Sequence, residues 1–192
     1  MVNMKKINVF PILFLLLTTL AVSADDSKIE KEQNKVRAKS AETLAKLYNA
    51  EPKAKNAVES AYGYATFSNF GMKILVAGGG KGQGLAVNNE TGADTFMRMI
   101  EVQAGLGMGI KKFLVVFVFG NEGAFNDFVN SGWEFGGQTT AAAKYDDEGG
   151  ALAGAVSVSP GVWVYQMTED GLALELTMKG TKYMKDDKLN KN

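Results

Sequence analysis

The sequence predicts an α+β fold: a strongly curved antiparallel β-sheet or partly closed barrel, with N-terminal helices and one short internal helix. Three observations predict it. All 22 glycines of the 192 residues fall between Gly63 and Gly180, so a glycine-free lead precedes a glycine-rich body. Apolar residues in the lead recur at helical spacing, whereas from Tyr62 onward the period changes to two, as in strands. Near the end, Leu172, Leu174, Leu176 and Met178 alternate with Ala173, Glu175, Thr177 and Lys179 behind the turn signal Glu169-Asp170-Gly171, which predicts a hairpin.

Residues 1–24 stand apart from the fold. Lys5 and Lys6 precede an almost uncharged apolar run from Val9 to Leu20, and Val22-Ser23-Ala24 supplies small residues for cleavage. This pattern predicts a secretory signal, with Asp25 as the new N-terminus. The run from Ile7 to Val22 is shorter than the roughly 20 apolar residues of a membrane anchor, and the absence of cysteine excludes acylation as a lipoprotein. The expected organisation is a signal at 1–24, a helical lead at 25–62, a β domain at 63–185 and a polar tail at 186–192. The expected location is outside the cytoplasm, in a periplasm or secreted, or peripheral on a membrane.

The lead from Lys28 to Ala61 is rich in Ala, Lys and Glu and is interrupted by Pro52 alone. It predicts a frayed polar start, one helix near 36–50 and a second near 52–61. Leu44, Leu47 and Tyr48 share a face, and Ser40 with Thr43, or Glu51 before Pro52, marks the break. Such a helix either docks on the domain through its few apolar residues or lies on a membrane.

In the body, Gly78, Gly80, Gly82 and Gly84 occupy alternate positions, and Gly105, Gly107 and Gly109 repeat the pattern. On a strand each series leaves one face without side chains, suited to close approach by another element or a ligand. Before the second series, Ile100, Val102, Ala104, Leu106 and Met108 read as a core face, with Met99, Glu101 and Gln103 on the other. Lys112 to Phe119 reads as a buried strand. Asn121 then caps a short helix whose inner face is Phe125, Phe128 and Val129. Strands are expected at about 150–158, 161–168 and 171–180.

The absent residue types exclude much chemistry. The chain has no cysteine and no histidine, so disulfides, thiolate nucleophiles, cysteine-ligated zinc and histidine-based catalytic triads are all excluded. The run Gly78 to Gly84 matches neither phosphate-binding glycine signature, so no nucleotide is expected. Asp146-Asp147-Glu148-Gly149-Gly150 lacks the ligand spacing of a calcium loop and reads as a solvated turn. Trp133 and Trp163 read as core or interface residues. After removal of the signal, 19 basic residues face 21 acidic ones, and residues 63–180 carry 7 basic and 12 acidic, net −5. A broad basic face for nucleic acid is therefore not expected.

Several stretches taken in order carry a family resemblance. They are Ala61-Tyr62-Gly63-Tyr64-Ala65-Thr66-Phe67, the glycine runs at 78–84 and 105–109, Val116-Phe117-Val118-Phe119 leading to Phe128, and Ser131-Gly132-Trp133-Glu134-Phe135-Gly136-Gly137. With the closing Val164-Tyr165-Gln166, Gly171-Leu172-Ala173-Leu174 and Gly180-Thr181-Lys182-Tyr183, the chain resembles the SYLF-domain family over roughly 40–190. Ser68-Asn69 stands where many members have proline. The resemblance implies a lipid-binding module without catalytic activity or cofactor. Its expected partner is a phospholipid or membrane surface, the alternative being an envelope protein held by a scaffold domain. The candidate lipid-binding residues are Lys73, Lys81, Lys111, Lys112, Lys179 and Lys182. They would flank a groove lined by Gly78, Gly80, Gly82, Gly84, Gly105, Gly107 and Gly109, where ammonium groups and backbone amides meet a phosphate.

Overall fold

The computed structural model describes residues 10–75, 79–102, 113–135, 152–168, 171–173 and 181–191, with side chains in these segments apart from 10–25, 69–75, 79–80, 101–102 and 135. Helices α1 (Phe10–Ala50) and α2 (Lys53–Ser60) lead into strands β1 (Gly63–Leu75), β2 (Gly79–Asn88), β3 (Asp94–Val102) and β4 (Leu114–Phe119). Helix α3 (Glu122–Ser131) follows, then β5 (Trp133–Phe135), β6 (Val156–Ser159), β7 (Val162–Thr168), β8 (Gly171–Ala173) and β9 (Thr181–Lys185). The nine described strands form one antiparallel sheet, strongly curled into a half-barrel, in the order β5-β9-β3-β2-β1-β4-β7-β6 with β8 beside β7. This is the α+β architecture that the change of period predicts.

The register separates two faces. Gly63, Ala65 and Phe67 of β1 stand opposite Phe119, Phe117 and Val115 of β4, and opposite Asn88, Ala86 and Gly84 of β2. With Met97 and Met99 of β3 they build an aromatic face, closed by Phe125, Phe128 and Val129 of α3. The ring centroids of Phe67 and Tyr183 lie 4.6 Å apart and those of Phe117 and Phe128 4.8 Å apart, each such pair adding about 1 kcal/mol to its burial. Helix α3 is the helix the sequence predicts: the Ala124 amide donates to Asn121 Oδ1 at 2.9 Å, satisfying a free first-turn donor.

The opposite face belongs to α1 and α2. Helix α1 crosses the strands, its buried residues passing from Leu85 and Phe96 through Thr66 to Val116 and Tyr165. Its contacts gather in two apolar clusters. Val36 and Ile29 pack with Leu85, Phe96 and Leu189; Leu47 and Leu44 pack with Leu114, Val116 and Tyr165, which Ala54 and Val58 of α2 also cover. Strand β4 is consequently buried along its whole length, both faces being covered.

Three expectations are corrected. Helix α1 runs unbroken through the region expected to fray, because 28–50 contains no glycine or proline and Ile29 and Val36 dock the 29–36 stretch. The break comes only at Glu51-Pro52, where the Lys53 amide donates to Glu51 Oε1 at 3.1 Å. On β3, Met97 and Met99 are fully buried while Ile100 is half-buried on the helical face, so the face expected to lead into glycines is the core face. The polar tail is docked: Leu189 is only 2 % exposed and joins the Val36 cluster. The second glycine series, the acidic run 146–150 and the alternation at 174–180 lie outside the described residues. No helix among the described residues is long and apolar enough to cross a membrane.

Candidate functional site

Strands β1, β2 and β3 continue past the line along which α1 crosses them. The flank of the helix and this extension enclose a cleft of about 900 Å³. Lys35, Val36, Lys39, Ser40 and Thr43 form the α1 wall, and Thr66, Ser68, Gln83, Arg98 and Ile100 contribute the sheet side. Lys81 stands at the outer end, and Asp186 and Lys188 close the rim from the segment after β9.

The inner part of the cleft is neutral and polar. Thr66 Oγ1 donates to Ser40 Oγ at 2.8 Å in a buried position, and Thr43 Oγ1 donates to the Lys39 carbonyl at 2.9 Å. These residues lie between the two apolar attachments of α1, the Val36 and Leu47 clusters. Val36, Ser40, Thr43 and Leu47 therefore form one continuous buried face with hydroxyls at its centre. Ser40 and Thr43 do not break the helix; they point it at the sheet.

The rim is cationic. Glu42 binds Lys39 at 2.8 Å and Lys46 at 3.0 Å, and these two ammonium groups, Lys39 foremost, hold its carboxyl below the usual carboxylate range. Asp186 Oδ1 accepts from the amides of Lys188 and Leu189, so it caps a turn. Among the described residues Lys35, Lys81, Arg98 and Lys188 have no ion pair. Four such cations around one cleft focus a positive potential there despite the acidic balance of the body.

The tyrosines of the helical face, Tyr165 buried and Tyr48 and Tyr64 half-buried, are held protonated. Burial, with Glu59 next in weight, pushes the Tyr48 hydroxyl up to about 12, and burial likewise raises Tyr64 and Tyr165. All three stay protonated at neutral pH. Among the described residues no three His, Cys, Asp or Glu side chains are grouped to hold a metal ion.

The sequence-derived candidates are distributed as follows. Lys81 is exposed at the cleft, and Lys73 stands opposite it in the β1–β2 register. The same row continues through Ile100 to Lys182, whose ammonium is held by Glu134 at 2.9 Å. Gly80 sits in β2 opposite Ile74 and Glu101. Gly82 and Gly84 line the cleft with backbone, while their side-chain positions face the other way. A Cβ on Gly84 would fall on the Phe67 ring, and one on Gly82 would stand 2.7 Å from Met99 Cε and 2.8 Å from the Ser68 carbonyl. The bare face of these two glycines is filled by the protein itself. Lys111, Lys112, Lys179, Gly78, Gly105, Gly107 and Gly109 lie outside the described residues.

Sequence reasoning missed Lys35, Arg98, Lys188 and the hydroxyl pair. Arg98 and Lys188 reach the cleft only through the β3–β9 register and the turn after β9. The heptad-like spacing of residues 29, 36, 40, 43 and 47 was the available signal for the α1 wall.

No family model matches the chain. A curated relative named "Beta cell expansion factor A", from Aeromonas veronii, is 33% identical over 152 residues, covering 76% of this chain and 54% of the relative. The chain thus spans about half the length of that relative.

Proposed function

We propose that this chain is a non-enzymatic, exported lipid-binding module of SYLF type acting at the cell envelope, and that the cleft beneath α1 receives the phosphate-bearing end of a phospholipid. The observation that carries this reading is a set of four cations, Lys35, Lys81, Arg98 and Lys188, with no ion pair among the described residues, ringing a cleft whose inner lining is neutral and hydroxyl-bearing. A phosphodiester needs charge at the rim and hydrogen-bonding groups behind it. The net −5 of the glycine-rich body argues against a diffuse basic surface; a local cluster meets the same need. Val36, Ala38 and Ile100 supply apolar contact for the glycerol and the first methylenes. The relative's name refers to beta cells and to no ligand, so the lipid reading rests on the cleft and on the resemblance in the sequence.

The test is co-sedimentation with vesicles of phosphatidylglycerol in phosphatidylethanolamine. Lys81→Glu combined with Arg98→Glu is expected to weaken binding about tenfold or more, each charge near an anionic surface contributing about 1 kcal/mol. Binding unchanged by both reversals overturns the site. Native mass spectrometry of protein from its source compartment separates the alternatives: a retained phospholipid supports the module, and a stoichiometric protein without lipid supports the scaffold.

A further inference from the structure

The segment Asp186–Asn190, which the sequence marks only as polar, is bonded on both sides. Toward the sheet, the Asn190 side chain engages both backbone groups of Phe96: the Phe96 amide donates to Asn190 Oδ1 at 3.0 Å and Asn190 Nδ2 donates to the Phe96 carbonyl at 2.7 Å. The Asp186 amide donates to that same carbonyl at 2.9 Å, continuing the ladder beyond β9. Toward the helix, Gln33 Nε2 donates to the Leu189 carbonyl at 2.8 Å, and Leu189 is buried with Val36, Leu85 and Phe96. The 29–37 stretch of α1 is therefore fastened by this segment together with the direct contact of Val36 and Ile29 with Leu85 and Phe96 and the exposed Arg37–Asp94 ion pair. The last turns of the helix, through Leu44, Leu47 and Tyr48, rest directly on the Leu114, Val116 and Tyr165 cluster.

The two attachments meet at Ser40 and Thr43, where the buried contact is polar. A helix attached at two apolar ends across a polar middle can separate at one end while the other holds. Asp186 and Lys188 of the same segment also form part of the cleft rim. We infer that Asp186–Asn190 is a latch: closed, it holds the 29–37 stretch of α1 at the edge of the cleft, and its release lets that stretch lift and widens access. This regulation rests on the cleft being the binding site proposed above, but the latch itself is tested without lipid.

Hydrogen exchange read by mass spectrometry on the purified chain reports it directly, because a helix lifted into water is only marginally stable and exposes its amides. Asn190→Ala is expected to accelerate exchange over residues 28–43 about thirtyfold, as for two net hydrogen bonds, with α3 and β4 unchanged. Gln33→Ala, which touches only the helix side, is expected to accelerate the same residues about fivefold. Unchanged exchange over 28–43 in both variants, or uniform acceleration reaching β4 and α3, overturns the latch. In the vesicle assay, Gln33→Cys with Lys191→Cys, joined by a short bismaleimide, is expected to slow lipid uptake; the chain has no other cysteine. Equal uptake with and without the bridge overturns the gating. A local exchange response in a protein that binds no vesicle leaves the latch standing and overturns the lipid reading alone.

Discussion

The ring of Phe67 occupies the space that a side chain on Gly84 would fill, and both residues sit at paired positions of β1 and β2. The alternation of glycines in β2 thus has a structural use on the aromatic face: Phe67 reaches Tyr183, Phe117 and Phe128 only because its cross-strand neighbour has no Cβ.

Gly84→Ala is accordingly expected to destabilise the protein by about 2–3 kcal/mol through overpacking against a fixed ring. Phe67→Leu in the same chain should recover part of that loss, since the smaller side chain vacates the volume. Urea unfolding of the two single variants and the double variant measures both effects. A Gly84→Ala midpoint equal to that of the parent would refute the packing account.

The Thr66–Ser40 hydroxyl pair is expected to behave cooperatively. Thr66→Val or Ser40→Ala alone leaves one buried hydroxyl without its partner, at a cost of about 1–2 kcal/mol, whereas removing both leaves no orphan. The double variant should therefore lose less than the two singles together, by about 0.5 kcal/mol or more in a double-mutant cycle. Strict additivity would mean that the bond contributes nothing to seating α1.

Stability is expected to fall in the alkaline range. The Tyr48 hydroxyl titrates near 10 in the unfolded chain and is pushed up to about 12 in the fold. Between these values the unfolded state releases a proton that the folded state keeps. The stabilising difference is therefore fully present below about pH 10 and is lost as pH rises toward 12. Tyr64 and Tyr165 shift in the same direction. Thermal unfolding from pH 9 to 12 should show this decline, and Tyr48→Phe should make it shallower; an identical slope would exclude Tyr48 as a contributor.

What the sequence discloses follows the range of its signals. Local patterns were legible: the cap at Asn121, the inner face Phe125, Phe128 and Val129, and the apolar run of β4 each depend on neighbours a few residues away. The role of Met99 was not, because the face a strand residue presents depends on what crosses it, and both faces of β3 are partly covered. Lys81 could be named from its nearness to glycines, but Arg98, Lys188 and Lys35 join it around the cleft only through pairings across β3, β9 and the crossing helix. Polar side chains in the middle of a helix look like an interruption until the opposing Thr66 is known.

The bond from Gln33 to Leu189 joins residues 156 positions apart, and that between Phe96 and Asn190 spans 94. Such contacts close long loops and cannot form until both partners have been synthesised. An emerging chain can make its hairpins early, but α1 has no complete seat until Leu189 arrives beneath it. Helix α1, though made before every strand of the sheet, is thus among the last of these elements to settle. For a chain proposed to be exported, a helix seat completed by a residue so far along the sequence is a built-in delay.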